Sequence, residues 1–81
     1  MTRNEAKTLW ISSFAAFAKL HRNIGKAQFA DMQNNGARFE DFEALLGRLR
    51  AKAEEANKAA IAATTDVSII TEAEAEWRTA A

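Results

Sequence analysis

Apolar side chains recur at intervals of three or four residues along almost the whole chain, and no proline interrupts this pattern. Such spacing places the side chains on one stripe of an α-helix, so it strongly restricts what the chain can fold into. The first stripe consists of Trp10, Phe14, Phe17, His21, Ile24, Gln28 and Met32. With a capping box at Thr2 and Glu5, it predicts a first helix over residues 3–34. A break at Gly25, which would give three to four helices in all, is the alternative.

A second stripe predicts another helix over residues 37–63, after a helix end at Asn34, Asn35 and Gly36, whose residue types accept the left-handed backbone conformation. Its members are Phe39, Phe42, Leu45, Leu46, Leu49, Ala53, Ala56, Ala60 and Ala63. Phenylalanine and leucine fill its first half, and alanine fills its second half. Folded back antiparallel, the alanine half lies opposite the aromatic residues of the first helix. We therefore predict an all-α fold, an antiparallel helical hairpin with a short C-terminal helix.

The last segment, residues 64–81, carries four acidic residues and one basic residue, whereas residues 1–36 carry five basic and two acidic ones. Thr64, Thr65 and Asp66 favour a helix end, and residues 67–70 are too short to anchor a sheet. A capping box at Thr71 and Glu74 predicts that the terminal helix begins there. This acidic C-terminal segment either covers the hairpin as a lid or packs on another chain as an interaction tail.

The composition predicts that a single small domain over residues 1–81 buries too little apolar surface alone. Of 39 apolar residues, 19 are alanines. A two-helix hairpin would also leave Leu9, Leu20 and Phe29 uncovered. We therefore expect self-association as a homodimer, which would bury such residues between chains.

Residue types that carry chemistry are scarce in this sequence. The absence of cysteine excludes disulfides, thiol nucleophiles and cysteine metal sites, and one histidine cannot build a multi-histidine centre. His21 lies on the apolar stripe, where a structural contact between helices is its expected role. We predict no catalytic residues, no metal, no cofactor and no enzymatic activity.

Two kinds of surface suggest binding. Interface centres favour Trp, Phe, Met and Arg, and the expected protein-binding residues are Trp10, Phe29, Arg22, Lys26 and Trp77. The alternative is a small nucleic-acid, nucleotide or phosphate binder that uses the basic residues Lys19, Arg22, Lys26, Arg48 and Arg50. A helix-turn-helix form of this alternative is disfavoured by the acidic start of the second helix, at Glu40, Asp41 and Glu43, because these residues would repel phosphates.

These observations predict a non-enzymatic helical protein–protein interaction module of the accessory or inhibitor type. No uncharged apolar run approaches the roughly 20 residues of a membrane-spanning helix. The stretch from Thr8 to Ala18 imitates a targeting signal, but Glu5, Ser12 and Ser13 interrupt that pattern. We expect this stretch to belong to the first helix of a cytoplasmic protein.

Overall fold

A computed structural model of the chain describes the backbone of residues 1–34 and 39–80 and the side chains of residues 1–26 and 40–80. It contains three helices, α1 (Arg3–Asn34), α2 (Phe39–Ala63) and α3 (Val67–Ala80), and the described residues contain no strand. The predicted all-α hairpin with a short C-terminal helix is confirmed. The side chain of Phe29, and the predicted turn at residues 35 and 36, lie outside the described part of the chain.

The first helix is continuous. Gly25 lies inside α1 at an exposed position, so the alternative of a break at this residue is wrong. The 32 residues of α1 should measure about 48 Å at 1.5 Å per residue. The longest extent of the molecule is also 48 Å, against 23 and 15 Å in the other directions. α1 therefore sets the length of the protein.

α1 and α2 form the antiparallel hairpin. Residue numbers rise along α1 as they fall along α2: Ser13 Oγ donates a hydrogen bond to Asn57 Oδ1 (3.3 Å), and Trp10 Nε1 donates one to the carbonyl oxygen of Thr64 (3.1 Å). Farther along, Leu20, Leu49 and Ala53 form a buried cluster. Against this cluster pack the half-buried residues Ala16, Phe17, Ile24, Leu45 and Leu46.

Two expectations for α1 are wrong. Leu20, predicted to lack cover, is only 5% exposed, whereas His21, predicted to lie at the helix contact, is exposed. The face of α1 that meets α2 contains Ser13 and Leu20, which are seven residues apart and therefore nearly in line on a helix. His21 is rotated by about 100° from Leu20 and so turns away from α2.

The cap of the terminal helix lies five residues earlier than predicted, at residue 66 instead of residue 71, and α3 begins at Val67. Asp66 caps it: the carboxylate accepts hydrogen bonds from the backbone N–H (2.9 Å) and hydroxyl (2.8 Å) of Ser68. The amides of Ile69 and Ile70 donate to the Asp66 carbonyl oxygen at 3.1 Å. The two bonds from Ser68 to the carboxylate lower the pKa of the Asp66 carboxyl. An aspartate cap at residue 66 thus replaces the predicted capping box at Thr71.

α3 packs on α1 alone. Arg3 pairs with Glu72, Lys7 with Glu76, and Phe14 contacts Trp77, so residue numbers rise together and α3 runs parallel to the first part of α1. No packing contact joins the described parts of α2 and α3. With 14 residues, α3 spans about 21 Å, less than half of α1. Beyond α3, the hairpin is two helices thick.

Candidate interaction surfaces

An aromatic row joins α1 to α3. The ring centroids of Trp10 and Phe14 lie 5.8 Å apart, and those of Phe14 and Trp77 lie 5.9 Å apart, both pairs tilted. All three side chains are half-buried. Trp10 and Trp77, predicted as partner-binding residues, therefore already hold helices together within the chain, and only part of each ring faces solvent.

Ion pairs fasten α3 beside this row. Arg3 Nη2 lies 2.7 Å from Glu72 Oε2, and Lys7 Nζ lies 3.5 Å from Glu72 Oε1 and 3.2 Å from the Glu76 carboxylate. The hydrogen bond from Arg3, with the charge of Lys7, lowers the pKa of Glu72. The hydrogen bond to Glu76 raises the pKa of Lys7. The basic front and the acidic C-terminal segment thus meet within one chain.

Acidification is expected to loosen α3. Because the folded-state pKa of Glu72 lies below its ordinary value of 4.5, its ion pairs stabilise the docked helix above pH 4.5. This contribution is lost as the pH falls through the folded-state pKa. Near-ultraviolet circular dichroism of the tryptophans, recorded against pH, should report the change.

Glu72→Gln should reduce this pH dependence, since the amide cannot titrate. Glu74→Gln is the matched control, because Glu74 pairs with Arg78 (2.6 Å) inside α3 and does not join α3 to α1. Identical pH profiles for Glu72→Gln and the unaltered protein would contradict the prediction.

The predicted basic residues are exposed but do not form one site. Lys19, Arg22 and Lys26 recur along α1 on the side turned away from α2. Arg48 and Arg50 are two residues apart, and a helix separates such side chains by about 200°. Arg48 and Arg50 therefore point to different sides of α2 and cannot both bind the same phosphate group.

A buried polar pair was missed from the sequence. Ser13 is only 2% exposed, and its hydroxyl bonds to Asn57 in the otherwise apolar contact between α1 and α2. A polar pair of this kind favours one alignment of two helices over shifted alignments, because a shift would leave its atoms unsatisfied. The seven-residue spacing of Ala6, Ser13 and Leu20 was the available signal.

Shallow apolar crevices lie on the surface. One, of about 540 Å³, lies where α3 meets α1 and is lined by Ile11, Trp77 and the end of α3. Another, of about 320 Å³, lies on α2 beside the buried cluster and is lined by Asp41, Phe42, Leu45 and Arg48. We call these four residues the α2 patch. Asp41 and Arg48 are exposed, and Phe42 and Leu45 are half-buried.

The chain exposes more surface than its mass requires. A compact monomer of 8.9 kDa is expected to expose about 4,800 Å². The accessible surface of the structure is 5820 Å², about 1,000 Å² more than that expectation. In the described part of the chain, Leu20 and Leu49 are the only large apolar side chains that are buried, at 5% and 7% exposure. The other buried positions are alanines and Ser13.

Comparisons with protein-family models, with curated proteins and with solved structures gave no match. Within the described residues, no group of three acidic or histidine side chains is placed to hold a metal ion. None of the described helices has both the length and the apolar character needed to cross a bilayer.

Proposed function

We propose that the chain is a non-enzymatic helical interaction module of the cytoplasm that self-associates and that binds or inhibits a larger protein. The carrying observation is the surface of about 1,000 Å² in excess of a compact monomer of this mass. Among the described residues, the exposed large apolar side chains are Met1, Ile61 and Val67, at 78%, 48% and 74% exposure. Covering such surface stabilises a complex by roughly 25 cal/mol for each Å² of apolar area, before the costs of association.

The partner is expected to contact the exposed parts of Trp10 and Trp77 together with the basic residues Arg22 and Lys26. The aromatic edges would supply buried contact area, and the cations would lie at the rim, where they assist recognition more than affinity. Phe29 belongs to the same proposal by its sequence position. The competing hypothesis is that the basic residues bind phosphate groups. It predicts that the affinity depends differently on salt concentration.

The test first identifies the protein that copurifies with the chain at physiological salt. The affinity of the chain for that protein is then measured by titration at two ionic strengths. Trp77→Ala should weaken binding by about 2 kcal/mol or more, because aromatic truncation at an interface centre has effects of that size. Salt should have a mild effect on a protein complex of this kind.

Trp77 also holds α3, so a matched control is needed. Glu72→Lys removes the ion pairs of Glu72 with Arg3 and Lys7 but keeps the Lys7–Glu76 pair and the indole ring. If Trp77 contacts the partner, Trp77→Ala should weaken binding more than Glu72→Lys does. The proposal is overturned if affinity falls steeply with salt, if Lys26→Glu abolishes binding, and if Trp77→Ala leaves the affinity unchanged. Those results together would indicate a polyanionic ligand.

A further inference from the structure

The α2 patch has opposite charges at its two ends and apolar side chains between them. Asp41 and Arg48 are seven residues apart, so they lie about 10 Å from each other along the same side of α2. That distance is too long for an ion pair within the helix. The positions three and four residues from Arg48 hold Ala44, Leu45, Ala51 and Lys52, which offer no carboxylate. No ion pair among the described side chains includes Asp41 or Arg48.

This order of residues is complementary to itself when reversed. In a two-fold symmetric contact, a residue i of one copy meets residue j of the other, and j meets i. If two α2 helices cross antiparallel at this patch, each Asp41 faces the Arg48 of the other copy. Leu45 then faces the exposed Ala44 of the other copy, so a large side chain meets a small one near the axis.

The surface that the whole chain exposes beyond that of a compact monomer is as large as one side of a dimer interface, and the patch is one part of it. A standard protein–protein interface buries about 800 Å² on each partner. The chain exposes about 1,000 Å² beyond the surface of a compact monomer of its mass. The patch also lies beyond the end of α3, where the hairpin is only two helices thick and where α3 offers no cover.

We infer that the α2 patch binds the same patch of a second copy of this chain, antiparallel about a two-fold axis, with two reciprocal Asp41–Arg48 ion pairs flanking Leu45. The inference rests on the self-association part of the proposed function and gives it a surface and a geometry. It does not involve Trp10, Trp77, Arg22 or Lys26, so binding of the larger protein can succeed or fail independently.

Charge reversal tests the geometry by sedimentation equilibrium of the full chain. Asp41→Arg alone and Arg48→Asp alone each place two like-charged pairs in the homodimer, so each should raise the dimer dissociation constant by about tenfold or more. An equimolar mixture of the two variants forms a heterodimer in which both pairs attract. The mixture should therefore dimerise nearly as well as the unaltered protein.

The control variants are Glu54→Arg, a reversal at an exposed carboxylate outside the patch, and Ile61→Glu, at an apolar residue that is 48% exposed. Neither should change the dissociation constant. Circular dichroism establishes that each variant is folded. A protein that stays monomeric throughout overturns the inference and leaves the titration of the larger partner to decide the remaining proposal. The inference is also overturned if neither charge reversal changes the dimer dissociation constant, or if the mixture of the two variants dimerises no better than each variant alone.

Discussion

Replacement of Leu20 by alanine is expected to lower the free energy of unfolding by about 2 to 5 kcal/mol. Leu20 is 5% exposed and packs with Leu49 and Ala53 in the buried cluster of the hairpin. The lost side chain removes apolar burial and leaves a cavity that the neighbouring alanine cannot fill. Denaturation in urea, followed by far-ultraviolet circular dichroism, measures the change.

The size of this effect matters because a domain of this kind has only about 5 to 15 kcal/mol of stability in total. Ile61→Ala is the control, since Ile61 is 48% exposed on α2 and its truncation should change stability by no more than about 0.5 kcal/mol. Equal losses in Leu20→Ala and Ile61→Ala would contradict the assignment of Leu20 to the core.

The fold class follows from the sequence because helical periodicity is a local property. Spacing at three and four residues, the capping box at Thr2 and Glu5, and the absence of proline all act within a turn or two of the chain. The structure contains the Thr2 half of that capping box: the Glu5 amide donates to Thr2 Oγ1 at 3.1 Å, and the Glu5 carboxylate accepts from the Thr2 hydroxyl at 3.0 Å. The end of α2 at Ala63 also agrees with the residue predicted.

The burial of individual residues on α1 could not be predicted in the same way. A stripe search assumes one buried face, but α1 packs against α2 on one side and α3 on another. Leu20 belongs to the first face, and Phe14 contacts Trp77 beside the second. The predicted stripe ran between these two faces. It therefore included His21, which is exposed, and left out Leu20, which is buried.

The start of α3 was missed because two local signals compete. Thr71 and Glu74 form the sequence pattern of a capping box, whereas Asp66 offers a cap five residues earlier. The earlier start lets Ile69 and Ile70 enter the helix, where both are half-buried. Burial of that kind is a tertiary effect, so the local pattern could not decide between the two starts.

The candidate binding residues show what sequence reasoning can find and what it cannot. Residue type identified Trp10 and Trp77 as side chains with a special role. Only the structure shows that the Trp10 indole bonds to Thr64 and that Trp77 packs on Phe14. Residue type alone does not reveal the α2 patch, because its charged ends, Asp41 and Arg48, are seven residues apart and come together with Phe42 and Leu45 only on the folded helix.

Enlargement of Ala60 to leucine is expected to destabilise the hairpin by about 1 to 3 kcal/mol. Ala60 has no exposed surface, and it lies on α2 between Asn57 and Thr64, the two residues that bond to α1. The added carbon atoms must push α1 and α2 apart or force strained side-chain conformations. Separation would also stretch the hydrogen bonds of Ser13 and Trp10.

Thermal unfolding followed by circular dichroism tests this expectation, because each 1 kcal/mol lowers Tm by about 4 to 8 °C in a domain of this size. Ala59→Leu is the matched control: Ala59 is exposed beside Ala60, and both substitutions change helix propensity by the same small amount. A Tm for Ala60→Leu equal to that of Ala59→Leu would mean that α1 and α2 do not approach closely at this level. In that case the small alanine side chains of α2 would not be the reason why the aromatic residues of α1 fit against it.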